Sequence, residues 1–130
     1  MAGVALDADV VIAFLDAADD LHERAVDELR PLLAAGDPIV ISASVYAEIL
    51  IRPTQRGTDA EVDDFLDAIG ATVVAVDRAL ARRAAQLRAR HAAMRLPDAL
   101  SLATALAAGV RLLTFDRKLQ RIARRECASA

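Results

Sequence analysis

Cysteine, histidine, lysine and aromatic residues are scarce in this sequence of 130 residues, and the shortages exclude several kinds of protein. The single cysteine, Cys127, excludes an intrachain disulfide and any zinc site built from several thiolates. The two histidines argue against a histidine-rich metal site. Four residues are aromatic whereas 55% are hydrophobic, so the core must be aliphatic, and its size argues against intrinsic disorder.

Long apolar runs are missing as well. No run approaches the roughly 18 residues of a membrane span, and the N-terminus lacks the basic start and the cleavage site of a signal peptide. We therefore expect a cytoplasmic protein without a membrane partner. The length fits one domain over residues 1–130.

The net charge of −3 conceals a division of charge along the chain. Residues 1–77 carry 16 acidic and four basic side chains, whereas residues 78–130 carry three acidic and 12 basic ones. This asymmetry favours a polyanionic partner, but basic helix faces that only keep the surface soluble would produce it equally well. Both interpretations stay open on charge alone.

Four short apolar segments alternate with segments of helical periodicity: residues 4–6, 38–42, 72–76 and 110–114. Strands that are apolar throughout, separated by helices, are typical of a parallel sheet covered on both faces. The sequence therefore predicts an α/β fold with three layers, α/β/α, around a central parallel sheet of about four or five strands.

Local signals predict where several helices begin and end. Residues 20–23 and 58–61 have the spacing of a capping box, and Asp77 is placed to cap the helix that follows it. Two prolines should interrupt helices, because proline removes a backbone donor. Pro31 is expected to kink or split its helix, and the helix after the second strand is expected to stop before Pro53.

Four acidic residues fall where a parallel sheet binds its ligands, beyond the carboxyl ends of the strands. Asp7 follows the first strand, Glu48 lies early in the helix after the second, Asp98 opens the helix before the fourth, and Asp116 follows the fourth. Clustered carboxylates repel one another unless a cation lies between them, and Mg²⁺ and Mn²⁺ prefer such oxygen ligands. The pattern predicts a divalent metal site held by these four acids.

Each acid also has a purely structural interpretation. Asp7, Asp98 and Asp116 all stand where helix-capping residues are common. Glu48 is harder to explain in this way, because its apolar neighbours in residues 45–50 suggest that it faces inward. The combined placement at the ends of successive elements favours the functional interpretation.

The same residues resemble the motifs of PIN domains. The segments are LDADVVI at 6–12, SASVYAEI at 42–49, LPDAL at 96–100 with ATA at 103–105, and LLTFD at 112–116. The size is similar to that of VapC-type toxins, the PIN-domain endoribonucleases of type II toxin–antitoxin pairs. The resemblance implies Mg²⁺- or Mn²⁺-dependent cleavage of RNA, a homodimer and inhibition by a small antitoxin.

By position, the resemblance makes Asp7, Glu48, Asp98 and Asp116 the catalytic and metal-binding acids, and Thr114 an accessory hydroxyl. Asp9 departs from the pattern, because such proteins often have Ser, Thr or Asn there. It would either join the metal ligands or cap the first helix, and we favour the cap. Cys127 and the histidines match no motif.

Three other functions are compatible with parts of the sequence. Asp7 and Asp9 also resemble the opening of haloacid-dehalogenase-type phosphatases, but these need a lysine near the site, and Lys118 is the only lysine here. A PIN nuclease of RNA processing would share every motif with a toxin. An interaction domain whose acids are merely caps would bind no metal.

The basic half supplies the candidate grip on RNA. Arginines recur at helical spacing after Asp77 and again after Asp116: Arg78, Arg82 and Arg90, then Arg117, Arg121, Arg124 and Arg125, with Lys118. Since few aromatic side chains are available for stacking on bases, phosphate contacts should dominate. The alternative is that these arginines pair with acids or only solvate the surface.

Overall fold

The structure, a computed structural model, describes residues 3–129, so residues 1, 2 and 130 of the predicted domain lie outside it. Four strands lie in this range: β1 (Val4–Leu6), β2 (Ile39–Ser42), β3 (Ala71–Val74) and β4 (Arg111–Leu113). Seven helices surround them: α1 (Ala8–Leu15), α2 (His22–Ala35), α3 (Ala43–Arg56), α4 (Asp59–Ala68), α5 (Arg78–Arg90), α6 (Leu96–Ala108) and α7 (Arg117–Ser129). None of the helices described is both long and apolar enough to cross a bilayer.

All four strands pair in parallel, in the order β3-β2-β1-β4. The register places Val4 of β1 opposite Ile39 of β2 and Arg111 of β4. The chain moves outward from β1 to β2 and β3, and then crosses back to lay β4 on the other side of β1. The order of connection therefore reverses between β1 and β4.

Helices cover both faces of this sheet, which confirms the predicted three-layer α/β/α fold. One apolar cluster packs α1 to α4 against side chains such as Leu6 and Ile41, which are 1% and 0% exposed. The other joins α5, α6 and α7 and includes Leu87 and Leu102. The core is aliphatic, as the composition predicts, and its residues alternate between the two faces along each strand.

The two prolines do not end their helices, and the prediction for Pro53 is wrong. Both α2 and α3 run through a proline and close on a glycine with positive φ, Gly36 and Gly57. Pro53 stands in the last turn of α3, and its own carbonyl accepts from the Gly57 amide, so the glycine cap closes the helix beyond the proline. Pro31 is exposed in a helix whose Leu29 is buried, so packing holds the helix together and it is not split.

The capping predictions are confirmed at one helix of three. Asp77 caps α5 by accepting from the Leu80 amide at 2.8 Å. Thr58 occupies the cap position of α4, but its side chain makes no capping bond there. The box predicted at residues 20–23 is wrong, because α2 begins after Leu21 with no side-chain cap.

Candidate active site

The reversal between β1 and β4 creates a crevice at the carboxyl edge of the sheet, where open α/β sheets bind ligands. Asp7 follows β1 directly and its amide donates to the carbonyl of Leu113, the last residue of β4. Thr114 follows Leu113 on the other side of the crevice. The topology therefore brings together two chain segments more than a hundred residues apart, each carrying residues that the sequence singled out.

Asp7 is the most strongly held of the four acids. One carboxylate oxygen accepts from the Ala8 amide at 3.0 Å and from the Ser101 hydroxyl at 3.2 Å, and the other accepts from the Thr114 hydroxyl at 2.8 Å. Its side chain caps α1 and is 8% exposed. These bonds fix the carboxylate in one orientation.

Burial raises the pKa of Asp7 above its ordinary value, and the charge of Asp98 raises it further. The hydrogen bonds from Thr114, Ala8 and Ser101 oppose this shift, because they favour the ionised form. The carboxylate is thus held in an environment that disfavours its negative charge. A cation bound beside it would remove that penalty.

Asp9 does not cap the first helix, so the favoured interpretation is wrong. Asp7 supplies the cap, and Asp9 lies in the first turn, where its Oδ2 accepts from the Phe115 amide at 3.1 Å and from Thr114 at 3.4 Å. Its Oδ1 is buried and has no hydrogen-bond partner within the described residues. Burial, and then the charge of Asp7, raise the pKa of Asp9 to about 6. Asp9 therefore ties α1 to the loop after β4.

Asp98 lies in the first turn of α6, is 7% exposed, and pairs with a residue that the sequence analysis did not consider. Arg95, three residues earlier, donates from Nε to its Oδ2 at 3.3 Å. This bond and the Asp98 charge raise the pKa of Arg95, and the charges of Glu48 and Asp116 act in the same direction. The charges of three of the four predicted acids thus act on the Arg95 guanidinium.

The segment after β4 supports the site through Thr114, which is 1% exposed. Its hydroxyl donates to Asp7 and accepts from the Asp116 amide at 3.2 Å, and its carbonyl accepts from the Gln120 side chain at 2.7 Å. The Asp116 carboxylate accepts from the Lys118 and Leu119 amides at 2.9 and 3.1 Å, so it caps α7. Thr114 therefore connects the first of the four candidate acids to the last of them.

Glu48 is exposed, so the expectation that it faces inward is wrong. In α3 the core takes Val45 and Ile49, and Glu48 lies beside that buried stripe rather than on it. It lines a cavity of about 550 Å³ together with residues of α1, α3 and α4, including Arg52 and Thr58. Asp98 and Asp116 instead line a second cavity of about 120 Å³. The charge of Glu48 nevertheless acts on Arg95, which is bonded to Asp98.

Two residues that support the site, Ser101 and Arg95, were missed by the sequence analysis. Each lies three residues from Asp98 on the chain, and in a helix that spacing places side chains on one face. The signal was present but not specific, because every residue has neighbours at that spacing. The contact from Ser101 to Asp7 spans 94 residues, and no local pattern predicts it.

The carboxylates fit Mg²⁺ or Mn²⁺ in the chemistry of their donor atoms. Asp7 and Asp98 are buried acids close enough to repel each other, and Asp9 adds a buried oxygen that has no hydrogen-bond partner in the part of the chain that the structure describes. Across residues 3–129, no three acidic, histidine or cysteine side chains are grouped tightly enough to enclose an ion by themselves. Mg²⁺ keeps several waters and needs only one or two carboxylates, so a protein cage is not required.

The fold and the site define a class: an α/β domain with acidic side chains at the topological switch point of a parallel sheet. The family model described as PIN domain matches residues 4–125, and the chain therefore belongs to the PIN-domain family. This confirms the resemblance of its four motifs. Membership argues against the phosphatase interpretation of Asp7 and Asp9.

Several solved structures share the fold. The VapC20 toxin of Mycobacterium tuberculosis, which cleaves the sarcin-ricin loop, is similar with a TM-score of 0.72, 21% identity and coverage of 91% of this chain and 93% of that one. VapBC2 of Rickettsia felis, bound to promoter DNA, is similar with a TM-score of 0.70, 19% identity and coverage of 92% of each chain. A toxin–antitoxin complex of Klebsiella pneumoniae is similar with a TM-score of 0.69, 22% identity and coverage of 88% of each chain. No curated protein matches by sequence.

The Thr114 hydroxyl offers a test of how the site is held. Thr114→Val keeps the shape but leaves Asp7 without its shortest side-chain donor and the Asp116 amide without its acceptor. The loss of a buried hydrogen bond should lower the free energy of unfolding by about 1–3 kcal/mol. Thr114→Ser retains the hydroxyl and serves as the control. Thermal unfolding of both variants measures the effect, and equal melting temperatures would contradict the assigned bonds.

Proposed function

We propose that this protein is a metal-dependent endoribonuclease, a hydrolase of RNA phosphodiester bonds, formed by a single PIN domain. The observation that carries the proposal is the pair Asp7 and Asp98: two buried, mutually repelling carboxylates at the switch point of the sheet. Such a pair is costly unless a cation compensates it. The family membership supports a nuclease over the other chemistries that acidic sites perform.

Asp7 and Asp98 would hold Mg²⁺ or Mn²⁺, with Glu48 and Asp116 at the rim of the site. When bound, the ion would neutralise charge on the phosphate and activate a water for in-line attack. Thr114 and Ser101 would keep the Asp7 carboxylate oriented toward the ion through the bonds that they donate to it.

The fold likeness to toxin–antitoxin proteins supports a toxin role with a small antitoxin as partner. A homodimer in the cytoplasm is proposed on the family resemblance alone. An antitoxin would cover the acidic rim and present an Arg to the carboxylates, since guanidinium pairs well with them. The bond from Arg95 to Asp98 supports this chemistry. The same domain in RNA processing remains the second candidate, and expression separates the two. A toxin arrests growth when it is expressed alone, and co-expression of the small protein encoded by the adjacent gene restores growth.

The direct test is cleavage of RNA by the purified protein. Cellular RNAs are incubated with the protein in Mg²⁺, in Mn²⁺ and in chelator, beside the Asp98→Asn variant. We expect discrete cleavage products with either metal, and none with chelator or with the variant. Cleavage that persists in chelator, or the absence of cleavage in any metal, would contradict the proposal.

A further inference from the structure

A small cavity of about 120 Å³ opens beside the acidic site, between the start of α6 and the start of α7. Two cations and two acids line it: Arg95 and Lys118, with Asp98 and Asp116. The apolar part of the lining includes Met94, which is 3% exposed. Lys118 is the only lysine in the sequence. Cations placed at the mouth of an acidic site can attract the phosphates that the acids repel.

The ion pair between Arg95 and Asp98 joins an exposed cation to a buried acid, so another cation could replace Arg95. The Asp98 side chain is 10% exposed, whereas that of Arg95 is 76% exposed. The distance between Arg95 Nε and Asp98 Oδ2 is 3.3 Å. An ion pair with one exposed partner is weak. The bond engages Nε, and the terminal nitrogens of a guanidinium are suited to grasping a phosphate.

Charge explains why Arg95 would move. The charges of Asp98, Glu48 and Asp116 all act on Arg95, and they come from three different parts of the chain. A divalent ion at Asp98 would compensate those same charges and weaken their hold on the guanidinium. An RNA phosphate would then be the strongest anion within its reach.

We propose that Arg95 is an RNA-binding residue, an inference that rests on the proposed function. While the site lacks metal, Arg95 neutralises the charge of Asp98. When a divalent ion takes its place at Asp98, Arg95 binds an RNA phosphate beside the cavity that it shares with Lys118. Metal and guanidinium then compete for one carboxylate. By linkage, removing one competitor strengthens the binding of the other.

The alternative is that Arg95 and Asp98 form an ordinary surface ion pair at the start of a helix. The two interpretations predict opposite changes in metal affinity when Arg95 is removed. An exchangeable Arg95 opposes metal binding and favours RNA binding, so its loss must move the two affinities in opposite directions. A structural pair that orients Asp98 would weaken both when Arg95 is removed.

The test compares Arg95→Gln with Arg111→Gln. Arg111 is an exposed arginine at the amino end of β4, on the opposite edge of the sheet. Calorimetry measures Mn²⁺ affinity without RNA, and fluorescence anisotropy measures binding of a single-stranded RNA in Ca²⁺, which takes the place of the catalytic ion. Thermal unfolding checks that both variants are folded.

Arg95→Gln should tighten Mn²⁺ binding about three- to tenfold and weaken RNA binding about three- to tenfold, as expected for one charge removed near each ligand. Arg111→Gln should change the Mn²⁺ affinity little. Affinities that fall together, or that stay unchanged while the wild type binds both ligands, overturn this inference alone. A wild type that binds neither Mn²⁺ nor RNA overturns the proposed function and this inference with it.

Discussion

Replacing Asp7 by Asn is expected to abolish RNA cleavage and to leave a protein that, without metal, is more stable than the wild type. Asn keeps the shape of the side chain but removes the charge of a proposed metal ligand. Because metal stabilisation of a reacting phosphate is worth several kcal/mol, the rate should fall by about two orders of magnitude or more. Asp98→Asn should reduce the rate in the same way.

The gain in stability follows from the direction in which the pKa of Asp7 is shifted. Burial raises this pKa, so the folded protein holds the proton more tightly than the unfolded chain does. The ionised group therefore lowers the free energy of unfolding at neutral pH, and this penalty disappears as the pH falls through the raised pKa. The advantage of Asp7→Asn over wild type should be largest near about pH 7 and should shrink toward about pH 4.

Melting temperatures in chelator across this pH range, with cleavage assays in Mn²⁺, measure both effects. Asp64→Asn is the control, because Asp64 is an exposed acid on α4. If Asp7→Asn and Asp98→Asn both cleave RNA at the wild-type rate, the assignment of the site is wrong. A melting temperature lowered by Asp7→Asn at neutral pH would contradict the charge argument.

Removing Arg82 and Arg121 together is expected to weaken RNA binding and to flatten its dependence on salt. Both side chains are exposed, one on α5 and the other on α7. The apolar stripe of α5, formed by Leu80, Ala84 and Leu87, is buried in the core. The arginine stripe of α5 is therefore turned toward solvent, where RNA phosphates can reach it.

The structure removes one arginine from this surface. Arg90 donates to Glu126 at 2.6 Å, and His91 lies 3.1 Å from the same carboxylate, so this part of the basic half is paired with an acid. No such ion pair involves Arg82 or Arg121 within residues 3–129. These two residues are accordingly the sharper test of phosphate contact.

The experiment measures RNA affinity over a series of salt concentrations for Arg82→Ala/Arg121→Ala. Loss of two phosphate contacts should reduce the salt slope by about 1.4 and weaken binding about tenfold at low salt. Arg30→Ala/Arg111→Ala removes the same charge from exposed positions elsewhere and is the control. Mn²⁺ affinity should be unchanged. Binding as tight as wild type at every salt concentration would show that the basic half does not hold RNA.

The elements and their order could be predicted from the sequence because local physics dominates them. Continuous apolar segments bounded by Gly, Pro and Asp defined the four strands, although β3 ends two residues earlier than expected. Asp77 caps its helix as predicted, through a bond to the Leu80 amide that spans only three residues. The prolines misled because the burial of α2 and the glycine cap of α3 outweighed one missing donor.

The site was predictable to the extent that it follows from strand ends. Asp7 and the segment from Thr114 to Asp116 had to meet once β1 and β4 were neighbours, and parallel strands bring their carboxyl ends to one edge. The sequence did not determine which strands are neighbours, because strand order depends on how the helices pack. It therefore identified the acids without the order β3-β2-β1-β4 that joins them.

Side-chain direction and long-range contacts were decided by tertiary structure alone. Glu48 is exposed because the helix α3 turns Val45 and Ile49 to the core, and Asp9 accepts from the Phe115 amide because β4 brings that amide to α1. The acids whose charges act on Arg95 lie on three parts of the chain. The sequence by itself determined the family, the layers and the acids, since these depend on periodicity and residue type. The long-range partners of the acids required the folded chain, because the bonds from Ser101 and Thr114 to Asp7 join residues that no local pattern relates.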